Sequence, residues 1–171
     1  APGGYAWMIP KKGGANIGIG IQTKFSKGKS LNSMAETFFS NFKGKITYKG
    51  GGVLPMSGTI QNFTKGHYML VGDSAGMVLP SNGAGITTAM IGGRIAGQVI
   101  AENIKENISL NEYQNRWNLQ MGKVMTYSKR GIQWGGVMFR SPDMLVNAAF
   151  NPLTKPLIWR AITCKPMFGI Y

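Results

Sequence analysis

The sequence predicts an α+β chain: an antiparallel sheet region, then a strand, loop and helix, then a helical C-terminal region. Three observations carry this. Apolar residues alternate at Tyr5, Trp7 and Ile9 before a glycine turn, as in one arm of a hairpin. A short apolar run, Tyr68 to Val71, breaks at Gly72 and Asp73 and leads through a loop into the apolar stretch from Ile86 to Ile104. Beyond residue 109 the apolar residues return at helical spacing behind helix-start signals.

In the first region the chain turns through Lys11, Lys12, Gly13 and Gly14 and comes back as a second strand to Thr23. Alternation puts Tyr5, Trp7 and Ile9 on one face. Gly18 and Gly20, two apart, share a side of the returning strand. Two readings are open: a trough with aromatic walls, suited to an extended apolar chain, or an ordinary sheet whose glycines accommodate a bulge. Leu31 to Lys43 follows as a helix, with Met34, Phe38, Phe39 and Phe42 on its core face and Ser33 with Glu36 as a capping box. Ile46 to Val53 reads as a strand ending in Gly50, Gly51 and Gly52. His67 is expected at the surface.

The central stretch has the makings of a site. The opening turn of a helix presents amide N–H groups with no intrahelical partner, and its dipole favours negative charge. Glycines at 83 and 85 would let an anionic or electron-rich ligand approach those amides. Asp73, one of only six acidic residues beside nineteen Lys and Arg, would accept hydrogen bonds from ligand hydroxyls. The plainer alternative makes Gly72 and Asp73 a turn and Asp73 a local cap.

The helix from about Ile86 to Lys105 carries Ala89, Gly93 and Gly97 in one row, which would permit close approach of a neighbour, and Ile91, Ile95 and Val99 in another. Arg94 interrupts it. Ser109 and Glu112 form a second capping box, leading to Tyr113, Trp117, Met121 and Val124 at helical spacing. The basic, aromatic and Met residues from Met125 to Arg140 fit a lipid-facing surface or a bundle face. Ser141, Pro142 and Asp143 announce a helix over 144–150, and a last short helix spans Lys155 to Thr163.

Composition narrows the functional classes. At 171 residues and 43% apolar the chain can bury a core. Its most apolar stretch is too short to span a bilayer and contains Arg94. No secretory leader is seen, and the single cysteine, Cys164, forms no internal disulfide, so the cytoplasm is expected. A net charge of +13 calls for an anionic partner. No nucleic-acid module is present, and lysines among Met, Trp and Phe favour a peripheral anionic membrane surface over a merely solvated face. There is no Cys and His cluster with metal spacing and no nucleophile, base and acid set; no metal is expected and no catalytic residue is assigned.

Two motifs resemble one family. Val71 to Gly76, with Pro80, Gly83 and Gly85, resembles the second FAD-binding motif of the class A flavoprotein hydroxylase and reductase superfamily, most closely its geranylgeranyl reductase branch. Tyr5, Trp7, Ile9 and Pro10, followed after seven residues by Gly18 and Gly20, is similar to the Tyr-x-Trp-x-Phe-Pro and Gly-x-Gly signature of that branch. Ile9 stands where the family commonly has Phe.

The resemblance implies roles. Asp73, with Gly72, would hold the ribityl chain of FAD, and the backbone of Gly83, Ala84, Gly85 and Ile86 would face the pyrimidine edge of the flavin. Tyr5, Trp7, Ile9, Pro10, Gly18 and Gly20 would line a polyprenyl cavity. The implied fold is the C-terminal part of such a flavoprotein: residues 1–60 in the substrate sheet with one helix, 61–106 returning to the FAD domain, and 107–171 a helical region that helps close the lipid cavity. The pyrophosphate-binding Gly-x-Gly-x-x-Gly turn is missing, since Gly18-Ile-Gly20-Ile-Gln-Thr23 ends in Thr and belongs to a strand. The chain is therefore expected to be the C-terminal half of a flavoprotein, either a fragment or one piece of a split enzyme, with an N-terminal FAD-binding half as its missing partner. The implied activity is FAD-dependent saturation of geranylgeranyl C=C bonds, with archaeal membrane glycerolipids as substrate and an unidentified electron donor. Alternatives are a flavin monooxygenase, a reductase of another polyprenyl compound such as a chlorophyll precursor or quinone, and a non-catalytic basic lipid-binding module.

Overall fold

Alternating side chains and a glycine turn do produce the hairpin. In the computed structural model, β1 (Tyr5–Lys11) and β2 (Gly14–Gly20) pair antiparallel, Tyr5 opposite Gly20 and Lys11 opposite Gly14. The turn is Lys12–Gly13, where Gly13 has φ +79°, a left-handed value that costs nothing without a Cβ. The structure describes residues 1–138, 148 and 151–164. They divide into two compact units, residues 1–52 and residues 53–137 with 151–164.

In the first unit a 3-10 turn, Thr23–Phe25, precedes α1 (Leu31–Phe39). The expected capping box is replaced by an earlier cap: Ser30 Oγ accepts from Ser33 N–H at 3.1 Å, so Ser33 lies inside the helix. The helix stops at Phe39, short of Lys43, and Phe42 folds back edge-on to Phe38 at 5.2 Å. The strand expected over Ile46 to Val53 does not form. No neighbouring strand pairs with it, and Ile46, Tyr48 and Val53 are exposed. A strand without a partner leaves its backbone groups to water, which the three glycines tolerate.

The second unit holds β3 (Thr64–Lys65) and β4 (Tyr68–Met69), a two-stranded antiparallel pair, then α2 (Ile86–Glu106), α3 (Glu112–Met138) and α4 (Lys155–Ile162). The strand expected over Tyr68 to Val71 is thus only its first two residues, and His67 is exposed in the turn before it. α3 is one continuous helix. Its start differs from the expected box: Ser109 Oγ accepts from Asn111 N–H at 3.3 Å, and the helix opens on Asn111, whose carbonyl accepts from Gln114 and Asn115. The helix expected over 144–150, with its Ser141 cap, lies outside the described residues.

The core of this unit is Phe63, Met77, Ile95, Val99, Tyr113, Trp117, Met121 and Met125, all buried. Thr88, Gly92, Ile95, Ala96 and Val99 form the buried side of α2, so the close approach occurs at Gly92, where an added Cβ would lie 2.7 Å from Met77 Sδ. The row expected to provide it does not: nothing lies within 4 Å of a Cβ at Gly93 or Gly97. Arg94 is exposed and donates to Gln120 Oε1 at 3.1 Å. Arg116 and Glu102 tie α3 to α2 through two hydrogen bonds of 2.9 and 2.6 Å, and these hold the Glu102 carboxyl below its usual range.

Tyr113 is fully buried, packs edge-on to Phe63 at 5.1 Å, and its hydroxyl donates to the Leu70 carbonyl at 3.1 Å. Burial pushes its phenol up to about 12. A folded pKa above the unfolded value means full stability below pH 10, declining as pH rises through the folded pKa. Urea midpoints measured between pH 8 and 12 are expected to stay level and then fall. Tyr113→Phe, which has no proton to lose, should be less stable at pH 8 but show a shallower alkaline decline.

Candidate functional site

Two left-handed glycines set the bend after β4. Gly72 has φ +67° and Gly76 φ +66°, and between them Gly72–Ala75 forms a single 3-10 turn. Ser74 Oγ donates to the Val71 carbonyl at 2.8 Å, Gly76 N–H to Asp73 O at 2.9 Å, and Met77 N–H to Gly72 O at 3.0 Å. Met77 and Val78 then plunge into the interior. The Asp73 side chain stays outside, and no hydrogen bond or ion pair engages its carboxylate among the described residues.

From Leu79 the loop closes on itself. Gly83 N–H donates to Leu79 O at 2.8 Å, Leu79 N–H to Ala84 O at 2.9 Å, and Ala84 N–H to Asn82 Oδ1 at 2.9 Å. Gly83, at φ +74°, makes the reversal possible. Gly85 is the N-cap of α2 and offers no side chain to the first-turn amides. Thr88 secures the start of the helix from inside: its buried hydroxyl bridges to the Met77 carbonyl and lies 2.8 Å from the Gly85 carbonyl.

These elements converge. A Cβ built on Gly85 would stand 3.5 Å from Asp73 Oδ1 and 3.3 Å from Val78 Cγ2, and one on Gly72 would be 3.4 Å from Ala89 Cβ. The carboxylate therefore sits beside Gly85 at the uncapped opening of α2, while Gly83 faces Leu54 and Met56. Ile86 is 81% exposed. A carboxylate acceptor, free helix-opening amides and a glycine cradle are the donor and acceptor set that a ligand with both hydroxyls and an electron-rich ring edge requires, and FAD has both. The turn of the plainer alternative forms at Gly72 and Asp73, while the Asp73 side chain makes no capping hydrogen bond among the described residues.

In the first unit the hairpin brings Tyr5, Trp7, Ile9, Gly18 and Gly20 onto one face and leaves Pro10 on the other. Tyr5 and Trp7 lie 5.7 Å apart, ring to ring, and Trp7 Nε1 donates to Asn16 Oδ1 at 2.7 Å. That bond turns the indole across the strand pair and onto Gly18, where an added Cβ would fall 2.1 Å from Trp7 Cζ2. The indole thus fills the trough at Gly18. At Gly20 the nearest atoms to a Cβ are 3.9 Å away, an ordinary contact. Tyr5 and Ile9 are more than half exposed, and Pro10 is exposed near the turn.

Sequence reasoning missed two features. On the other face of the hairpin, Ala6 and Ile19 face Met34 and Phe38 of α1 across an open concavity of about 510 Å³, with Lys29 and Asn41 at its polar edge. In the second unit, Ser81 of the loop meets buried Ser128 of α3 and Cys164 after α4. Only the i, i+4, i+7 spacing of Met121, Met125 and Ser128 along α3 hinted that position 128 points inward. Among the described residues no group of His, Cys, Asp and Glu could hold a metal ion, and no helix is long and apolar enough to cross a membrane.

Comparison with known proteins follows this geometry. The model of the geranylgeranyl reductase catalytic domain matches residues 1–53. A digeranylgeranylglycerophospholipid reductase of Methanocaldococcus jannaschii is 40% identical over 97% of this chain and 46% of its own length. Digeranylgeranylglycerophospholipid reductase 3 of Methanosphaera stadtmanae is 37% identical over 97% of this chain and 45% of its own. That of Methanosarcina acetivorans is 42% identical over 57% and 25%. No solved structure matches. The chain spans about half the length of the curated relatives it matches most fully. With the catalytic-domain model on its first 53 residues and such relatives along nearly all of it, this chain belongs to the geranylgeranyl reductase family.

Proposed function

We propose that this chain supplies the ribityl-binding and lipid-binding part of an FAD-dependent reductase that saturates C=C bonds of geranylgeranyl chains in archaeal membrane glycerolipids. The observation that carries the reading is the approach of Asp73 Oδ1 to within 3.5 Å of the Gly85 Cβ position, beside a helix opening that no side chain caps. Asp73 would accept from the ribityl hydroxyls. The Gly83 and Ala84 amides are already taken by Leu79 O and Asn82 Oδ1, so the donors to the electron-rich edge of the ring would be the Gly85 and Ile86 amides, with Gly83 and Ala84 shaping the loop beside them. The flavin, when bound and reduced, supplies the hydride that adds with a proton across the double bond.

The exposed aromatic face of the hairpin suits the substrate class. Tyr5 and Trp7 offer rigid apolar surface and Ile9 extends it, while Gly20 keeps the neighbouring strand low; Gly18 makes room for the indole, and Pro10, on the opposite face of β1, shapes the strand end. These residues would align an extended polyprenyl chain and keep it dry. The pyrophosphate end of FAD would be held by an N-terminal half of the parent protein, in line with the length of the relatives. Eight lysines against Glu36 alone in residues 1–52 favour a peripheral position on an anionic cytoplasmic membrane face.

Asp73→Ala in the intact protein tests the reading. Losing hydrogen bonds to a charged acceptor should weaken FAD binding by about ten- to a hundredfold, read by flavin fluorescence on titration. Unchanged FAD affinity would remove Asp73 from the site. Product mass decides the reaction: a gain of two hydrogens per turnover supports a reductase, and a gain of oxygen a monooxygenase.

A further inference from the structure

The loop between Asp73 and α2 is tied outward at one point whose purpose the site does not yet explain. Ser81 N–H donates to Ser128 Oγ at 3.0 Å, the two hydroxyls are 3.0 Å apart, and Ser81 Oγ lies 3.3 Å from Cys164 Sγ. Ser128 is fully buried and Cys164 is buried. A serine in the middle of a 27-residue helix gains little there from helix propensity. Its hydroxyl goes to a loop backbone amide forty-seven residues away in sequence.

We propose that Ser128 is a positioning residue for the 79–86 segment, fixing the loop against α3 so that the Gly85 and Ile86 amides, which the loop's own bonds leave unused, face the cofactor. The inference rests on the flavin reading above. The bonds Gly83 N–H to Leu79 O, Leu79 N–H to Ala84 O and Ala84 N–H to Asn82 Oδ1 run within the loop and set its shape. Thr88 anchors the far end, at the helix, and Ser128 anchors the near end, at Ser81. With both ends held, the opening of α2 keeps one pose relative to Asp73. Without Ser128 the Ser81 amide loses a buried partner, and the 79–85 segment gains freedom to turn about Thr88.

Two measurements on the intact protein test this. In Ser128→Ala the FAD dissociation constant should rise about three- to tenfold, and Ser128→Thr, which keeps the hydroxyl, should fall nearer to wild type. Ser81→Ala keeps the amide bond and should show a smaller rise. In the FAD-free protein, amide hydrogen exchange in Ser128→Ala should quicken at Ser81 and at Gly83 to Ile86 while the Val99 amide in the core keeps its protection. Wild-type FAD affinity in Ser128→Ala, with binding still lost in Asp73→Ala, would overturn the positioning role and leave the flavin reading standing. Exchange that quickens equally at Val99 would mark Ser128 as structural only and also overturn it. A wild-type protein that binds no FAD would overturn both.

Discussion

Trp117→Ala is expected to cost about 3–5 kcal/mol of folding stability, enough to unfold a marginal domain. Trp117 is fully buried at the centre of the second unit, among Met77, Val99, Tyr113 and Met121. Those side chains come from three stretches of chain, so a collapse around the vacated volume would have to move α2, α3 and the 72–79 turn together. The indole Nε1 finds no hydrogen-bond partner among the described residues. Trp117→Phe therefore loses volume but also removes an unsatisfied buried donor, and should cost well under half as much as the alanine. Urea unfolding followed by far-UV circular dichroism checks both.

Gly76→Ala is expected to cost about 3 kcal/mol or more, from two sources that add. The residue sits at φ +66°, where an L side chain is strained, and its Cβ would meet the Gly58 carbonyl oxygen at 2.4 Å. That neighbour is backbone and cannot swing aside as a side-chain tip would. The 58–60 segment would have to withdraw, breaking the Ile60 N–H to Ala75 O bond of 3.1 Å. Gly93→Ala is the control: φ is ordinary and no atom lies near, so helix propensity should make it neutral to slightly stabilising. Denaturant midpoints of the two variants should move in opposite directions, or Gly93→Ala should not move at all.

The contrast between these glycines also marks what sequence can reveal. The 86–106 helix was legible because its apolar period is strong, yet that strength hid its orientation. Ile86, Met90, Ile100 and Ile104 are exposed on the same side as Gly93 and Gly97, while Ile95 and Val99 are buried, so apolar residues occupy both flanks and the pattern alone does not choose. The first helix shows a smaller ambiguity. Ser30 and Ser33 are both able caps, and Glu36 three residues after the second drew attention to the wrong one. For Ile46 to Val53 the alternation was real, but a strand exists only with a neighbour, and none of the described residues provides it.

The candidate site divides the same way. Asp73 beside the α2 opening follows from local rules, because a left-handed glycine, a short turn and a glycine loop leave the chain few routes back. Trp7 lying over Gly18 depends on a side-chain bond to Asn16 across the hairpin, which no periodicity encodes. Ser128 at Ser81 is a tertiary contact between a helix and a distant loop, and only the fold brings them together.

One consequence follows from how the bend holds its carboxylate. Among the described residues the bonds that shape residues 71–77 are neutral ones, mostly to backbone carbonyls, and no cation takes part. Raising ionic strength shortens the reach of the lysine charges, since the Debye length falls from about 10 Å at 0.1 M to about 3 Å at 1 M. It leaves the Asp73 turn intact. Under the proposed function, concentrated salt should release the intact protein from acidic vesicles while the proposed flavin stays bound.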